Sequence, residues 1–586
     1  MKYSDFLAKW LKELGYTHCF FVGGGNIMHL VDSLSRYIDC RAVVNEVAAG
    51  IAAEYFNEAS QDSRALALVT AGPGLTNIVT AMAGAYLESR ALLVIGGQVK
   101  TTDLSRGMLR QRGIQEIDGA LLVKSICKRS IVLERPVGQQ VFEEYVASSW
   151  EGRPGPVFIE IPLDVQGVQY ETTSDMVSFR EETNLPMIAE EDLENLVTKI
   201  QSAKRPVFLL GGGVSRETAN SCLESLEGLG IPIMTTWNAA DRLDALSPAY
   251  FGRPNTWGQR SANLIMQQAD LLLAMGSRLG LQQTGFNWQQ FVPLGEVIQV
   301  DIDAKELEKG HPRMSQSFCV DANDLLSRIC RKGLGDHLGW FEFARNVRER
   351  IPLVESINHT GDGFLSPFDF VEKLSDLANE KDVVIPCSSG GAFTVMMQVF
   401  AQKKGQVIIT NKGLASMGYG LSGAIGAAVA HPDKRTILVE GDGGFAQNLQ
   451  EIGTAAINRL NLKLFIFDDS GYASIRMTQR NYFQGRYVGC DRSTGLGLPD
   501  WEKLFDAWDV PVLRIGPGFE QDRSFMEAFS GVGMHAFIVG IDPEQTYYPK
   551  ITSRVTETGT MESNPLHLMT PDLSEELNAQ VMRYLR

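Results

Sequence analysis

Residues 436–472 read TILVEGDGGFAQNLQEIGTAAINRLNLKLFIFDDSGY, and the fold is decided there. Thr436–Glu440 is a β-branched apolar run that stops at Gly441-Asp442-Gly443-Gly444. Phe445, Leu449, Ile452 and Ala456 then recur at helical spacing. Leu464–Phe467 is a second buried-strand run, and it stops at Asp468-Asp469-Ser470-Gly471. The pattern predicts strand, glycine turn, one helix, strand, acidic turn. Parallel strands joined by a right-handed helical crossover end at the same edge of a sheet. Asp442 and Asp469 are therefore expected in the crevice beyond the strand ends, where open α/β sheets bind ligands. The glycines let backbone N–H groups and a helix N-terminus face an anion. The carboxylates supply hard oxygen for a divalent cation. The stretch reads as a metal–diphosphate site.

The remaining chain is too long for one core: 586 residues predict two to four domains. Hydrophobic residues at 44% and charged residues at 21% are ordinary globular composition. A net charge of −16 argues against general nucleic-acid binding, which needs basic surface. The eight cysteines are scattered, with no CxxC or zinc spacing, and are expected as mostly buried free thiols. MKYSDFLAKWLKEL at the start reads as an amphipathic helix, because charged residues interrupt its apolar positions. No apolar run has the length of a membrane span. These features predict a cytoplasmic protein.

Strand and helix patterns alternate along the whole chain, which indicates parallel sheets covered on both faces. Residues 1–170 carry the strand runs THCFFV, CRAVVN, ALALVT, ALLVIGG and PVFIEIP. A polar stretch from Tyr170 to about Glu191 reads as a linker. Residues 192–345 carry PVFLLGGG, PIMTTW, LLLAMG and EVIQVDID. The Gly211-Gly212-Gly213 turn is compatible with a nucleotide site and equally with a tight structural turn. Residues 365–545 hold DVVIP, QVIITN and the opening stretch, and residues 546–586 form a polar tail or lid. The expected fold is three doubly wound α/β domains.

Beyond these patterns, the chain resembles the thiamine-diphosphate enzymes of the acetolactate synthase family. The resemblance rests on ordered motifs: NEVAAGIAAEYF around Glu46, TAGPGLTN at 70–77, EGRPGPVFIEIPLDV at 151–165, ADLLLAMGSR at 269–278, VIQVDID at 297–303, GLASMGYGLSGAIGAA at 413–428, and the GDG turn with its acidic partner. It implies pyrimidine-binding, central and diphosphate-binding domains, with the active site shared between subunits of a homodimer or homotetramer. Glu46 matches the acid that hydrogen-bonds the aminopyrimidine. Met417 matches the residue that props the cofactor in its bent form, with the Ala415 carbonyl facing the 4′-amino group. Asp442, Asp469 and the Gly471 backbone match the Mg2+ ligands. Gly390, Gly391, Gly441, Gly443, Gly444 and Tyr472 fall where the diphosphate is held, and Gln115 matches a glutamine near the reacting carbon.

The sequence departs from that pattern at four places. Asp468-Asp469 stands where relatives carry Asn-Asn, which adds negative charge to the metal site. Gly391-Ala392 replaces a Gln-His pair. Gln282 stands where acetolactate synthases carry an arginine that grips the carboxylate of the second 2-keto acid. A neutral amide cannot form that bidentate pair, a loss of about 1.5–3 kcal/mol. Gly252-Arg253-Pro254-Asn255 lacks a Met-His pair placed beside flavin, so FAD against Gly211–Gly213 and Asp301 stays an open option. The resemblance implies a carboligase that decarboxylates pyruvate, or a similar 2-keto acid, and transfers the acyl-anion unit to a carbonyl acceptor. Gln282 points to an acceptor other than a simple 2-keto acid, and a keto-sugar nucleotide fits. The alternatives are acetolactate synthase itself, or a 2-keto acid decarboxylase or lyase.

Overall fold

The computed structural model describes residues 1–171 and 185–585. Most of the expected linker lies outside the described residues. The chain divides into two compact units: 1–183 with 382–392 and 409–540, and 184–381 with 393–408 and 541–586.

The first unit holds two parallel sheets. One is built from β1 (Tyr16–Phe21), β2 (Asp39–Ala42), β3 (Arg64–Val69), β4 (Leu92–Gln98), β5 (Arg129–Val132) and β6 (Pro156–Pro162), in the order β2-β1-β3-β4-β6-β5. Every adjacent pair in it is parallel. β5 is an edge strand with one charged and one hydroxyl residue in four, which is why no apolar run announces it.

In the second unit the sheet is β7 (Pro206–Leu210), β8 (Ile233–Thr235), β9 (Leu271–Met275), β10 (Glu296–Asp301) and β11 (Gln316–Cys319), ordered β11-β10-β9-β7-β8 and parallel throughout. The chain then contributes β12 (Val383–Ile385) to the first unit and the short β13 (Val407–Ile408) to the second. The first unit's other sheet continues through β14 (Thr436–Gly441), β15 (Leu462–Asp468), β16 (Val512–Ile515) and β17 (His535–Gly540). There β12-β14-β15-β17-β16 run parallel in that order.

Residues 546–585 are folded onto their own unit. Ser553–Val555 pairs antiparallel with Met561–Ser563. Leu566 and Val581 are buried in one cluster with Val207, Leu272 and Trp340. All eight cysteines are free, and five of them are buried. Among the described residues no helix is long and apolar enough to cross a membrane.

The crossover between β14 and β15 corrects one expectation. Instead of one helix there are two short ones, Asp442–Phe445 and Glu451–Ile457. The break falls where Asn448 turns its side-chain amide to the Gly418 carbonyl, 2.7 Å away. Asparagine that bonds outside its own helix competes with the helical ladder.

A pH dependence follows from Glu160, which lies buried on β6 and accepts from Gln98 Nε2 at 3.0 Å. Burial raises its carboxyl from 4.5 to about 8. A raised folded-state value gives stability that is present below the unfolded value and lost as pH rises through the folded one. Thermal melts of Glu160→Gln are expected to lack the wild-type decline between about pH 5 and pH 8, a difference of about a few kcal/mol at the alkaline end. Parallel melting curves for the two proteins would contradict this.

Candidate functional site

β14 and β15 pair in register from Thr436 with Leu462 to Gly441 with Phe467, so their C-terminal turns leave the sheet side by side. Asp442 opens the short helix after β14 and is almost fully buried. Its Oδ1 accepts from the Gly443 N–H at 2.6 Å, and its Oδ2 accepts from the Gly471 N–H at 2.9 Å. One carboxylate thus ties the glycine turn to the acidic turn. Gly471 has φ +147°, and a Cβ there would sit 2.1 Å from the Cys490 carbonyl oxygen, so no larger residue fits. Its own carbonyl oxygen lies 3.6 Å from where a Cβ on Gly443 would be. The Tyr472 ring lies over Gly443 at 2.3 Å from the same point.

Asp469 is also buried, and the spacing of the turn did not foretell its partner. Arg476, on the helix Ala473–Phe483, donates from Nη2 to Asp469 Oδ1 at 2.9 Å and to its main-chain oxygen at 2.7 Å. Burial, then Asp469 and Asp468, push the Asp442 carboxyl well above the usual range. Burial raises Asp469 to about 7 against the lowering pull of Arg476. Two neighbouring carboxylates that resist ionisation suit a divalent cation, whose charge reverses that penalty. Among the described residues no three His, Cys, Asp or Glu side chains are grouped to hold a metal. A cation here would draw two side-chain ligands, with backbone and phosphate oxygens completing the shell.

Two further loops of the first unit carry predicted site residues, and they touch each other. Ser388, before Gly390 and Gly391, donates to the Ser416 carbonyl at 2.5 Å. Met417 is 38% exposed, which sets aside a plain core-packing role for it. Its loop is anchored by a buried network that sequence reading missed: Arg90 donates to Glu54 at 2.9 Å and to the Thr410 carbonyl at 2.7 Å, while Asn411 and Tyr419 also donate to Glu54. Non-glycine residues at positive φ include Gln115, Cys387, Ala415 and Ser470, each on or beside a loop singled out from the sequence. Such strain persists where surrounding structure enforces it.

Glu46 begins the helix Glu46–Ala59 after β2 and is buried, with Asn77 Nδ2 donating to its Oε2 at 2.9 Å. The preceding loop is clamped by Glu451, whose Oε1 accepts from the N–H groups of Val44 at 3.2 Å and Asn45 at 3.0 Å. Gln115 is exposed, and its backbone packs on Gly72 of the Gly72-Pro73-Gly74 turn.

The remaining predicted positions belong to the second unit. Gln282 lies in the short helix Leu281–Thr284 and is half-buried, its carbonyl accepting from Thr256 N–H at 3.1 Å. Gly211 and Gly213 pack directly on Gly276, where a Cβ on either would collide with backbone, so both serve a tight turn. Asp301 ends β10 and accepts from the Asp303 N–H at 2.9 Å. Arg253, within the segment lacking the Met-His pair, is fully buried and donates to the Phe400 carbonyl at 2.6 Å.

Comparison with known proteins bears on the whole chain. Residues 1–121 match the thiamine pyrophosphate enzyme N-terminal TPP binding domain, 193–329 its central domain and 389–539 its C-terminal TPP binding domain. The acetolactate synthase isozyme 1 large subunit of Escherichia coli K12 is 28% identical over 564 residues, covering 95% of this chain and 96% of that one. The acetolactate synthase large subunit of Corynebacterium glutamicum is 28% identical over 525 residues, covering 87% and 82%. The probable acetolactate synthase large subunit of Methanococcus aeolicus is 28% identical over 565 residues, covering 93% and 92%. With three matched domains, each on its own parallel sheet, the chain belongs to the thiamine-pyrophosphate-dependent enzymes of the acetolactate synthase type.

Proposed function

We propose that the chain holds thiamine diphosphate through Mg2+, decarboxylates pyruvate or a similar 2-keto acid, and ligates the acyl unit to a carbonyl acceptor other than a simple 2-keto acid. The observation that carries the cofactor assignment is Asp442 bridging the Gly443 and Gly471 N–H groups. Asp442, Asp469 and the Gly471 carbonyl would hold the metal. Backbone at Gly390, Gly391, Gly441, Gly443 and Gly444 would receive the diphosphate, with Tyr472 closing over Gly443. When bound, the cofactor's thiazolium supplies the carbon nucleophile and accepts the electron pair that carbon dioxide leaves behind.

The chain's own residues orient and move protons. Asn77 occupies Glu46 Oε2, so Oε1 is the atom free to exchange a proton with the aminopyrimidine. Met417, exposed on a strained loop, would prop the bent cofactor, and the Ala415 carbonyl would face its amino group. Gln115 would reach towards the reacting carbon. The site would be completed by a second copy in a homodimer or homotetramer. Should FAD bind, Gly212 and the β10 end at Asp301 offer its surface, since Gly211 and Gly213 are taken by their turn. The visible absorbance spectrum of the purified protein reads this directly.

For the acceptor, Gln282 supports the proposal, because an amide lacks the charge to grip a second carboxylate. The names of the relatives favour the other reading, acetolactate synthase. Incubation with pyruvate alone separates the two. The expected outcome is slow decarboxylation with little acetolactate, and faster pyruvate consumption once a ketone or aldehyde acceptor, a keto-sugar nucleotide included, is added. Rapid acetolactate formation would sink the proposed acceptor, and aldehyde release unaffected by any acceptor would indicate a decarboxylase.

A further inference from the structure

Arg476 is buried, yet its guanidinium grips Asp469 through one nitrogen alone. Nη2 reaches Asp469 Oδ1 at 2.9 Å and the Asp469 main-chain oxygen at 2.7 Å, while Nε is buried with no hydrogen-bond partner. The contact is therefore not the two-pronged fork in which a guanidinium engages both oxygens of a carboxylate. Nη1 lies 3.0 Å from where a Cβ on Gly471 would be, so the same guanidinium backs the turn that presents the Gly471 carbonyl. The neighbouring Asp468 does not compete for it, being paired with Arg514 at 3.1 Å. Oδ1 of Asp469 is committed to the guanidinium, and Oδ2 is the oxygen that Arg476 leaves untouched.

We propose that Arg476 is a positioning residue that fixes Asp469 as a single-oxygen ligand and so sets the site's preference for a small octahedral cation, Mg2+, over the larger Ca2+. Mg2+ demands six ligands in near-ideal octahedral geometry, whereas Ca2+ accepts more ligands and favours carboxylates that chelate through both oxygens. With Oδ1 held in the guanidinium's hydrogen bond, Asp469 meets a cation best through Oδ2 alone. Freed from the arginine, it can chelate through both oxygens. The pair also removes one negative charge from a pocket that must accept a diphosphate beside Asp442. This inference rests on the metal and cofactor assignment above.

The test measures thiamine diphosphate binding by titration calorimetry, with Mg2+ or Ca2+ as the only divalent cation, for wild type, Arg476→Met and Arg476→Met/Asp469→Asn. Arg476→Met is expected to move the Ca2+-to-Mg2+ affinity ratio about tenfold towards Ca2+, because only it frees a chelating carboxylate. The double variant is expected to return to the wild-type ratio, since an amide offers one oxygen. Equal loss with both metals in Arg476→Met, an unchanged ratio, or a double variant that keeps the Ca2+ preference would overturn the inference. A second measurement needs no variant: in a crystal of the wild-type Mg2+ complex, Asp469 should bind through Oδ2 with Oδ1 still on Arg476. An arginine swung away, or a chelating Asp469, would equally overturn it. Wild-type protein that binds thiamine diphosphate with neither metal would instead refute the proposed function.

Discussion

Glu46→Gln is expected to lower turnover of the 2-keto acid by about a hundred- to ten-thousand-fold, the range spanned by loss of a positioned proton-transfer group. Cofactor affinity should stay within a few-fold of wild type. The two effects separate because the amide is isosteric. Its oxygen can still accept from Asn77 Nδ2, and the helix Glu46–Ala59 keeps its Asn45 cap, where Oδ1 accepts from Val47 N–H at 3.0 Å. What the amide cannot do is take up and release a proton. Single-turnover decarboxylation alongside a thiamine diphosphate titration gives both numbers. A variant that turns over like wild type would remove Glu46 from the chemistry, and one that binds no cofactor would make it a structural residue.

Asp442→Ala should have the opposite signature. Metal-dependent thiamine diphosphate binding is expected to weaken by more than about a hundredfold, because a coordinating, charge-assisted oxygen is worth several kcal/mol. The apoprotein should nevertheless stay folded. The Gly443 and Gly471 N–H groups lose their acceptor, at about 1–3 kcal/mol for each group left unpaired. Against that, a buried carboxylate held well above its ordinary range by burial and by Asp469 and Asp468 is gone. Its removal helps more as pH climbs above the group's ordinary value, where the raised folded-state value costs stability. Thermal melts of the apoprotein are expected to show the variant closing on wild type as pH rises above the ordinary carboxylate range. Undiminished cofactor binding would dismiss Asp442 as a ligand.

Several parts of this molecule were legible before any coordinates. The β14 and β15 runs are all but uninterrupted apolar residues between turn signals, and a pattern that strong leaves little choice of structure. Asp442 and the acidic turn were foreseen to meet because parallel topology forces adjacent strand ends together. The helix between them was misjudged because periodicity reports which residues are apolar, not that Asn448 spends its amide on Gly418. β5 and β16 lie at sheet edges, where half-buried side chains dilute the apolar signal. Arg476 was invisible for a different cause. An arginine at the seventh position after Asp469 is unremarked in a sequence, and only the turn at Ser470-Gly471 folds it back onto the carboxylate. Gln282 shows the converse. Its departure was read from the sequence, while the fold places only its backbone, against Thr256.

The clamp of Glu451 on the Val44 and Asn45 N–H groups has a genetic corollary. The loop that delivers Glu46 hangs on a side chain some four hundred positions downstream, just after the glycine turn. In a saturation scan, substitutions at 451 should phenocopy lesions at 46 rather than lesions at 442. Pairs of changes at 44–45 and 451 should show epistasis that neither local neighbourhood foretells. A chimera that exchanges either terminal third of this chain for that of a distant relative inherits half of this contact, and the other half must be restored with it.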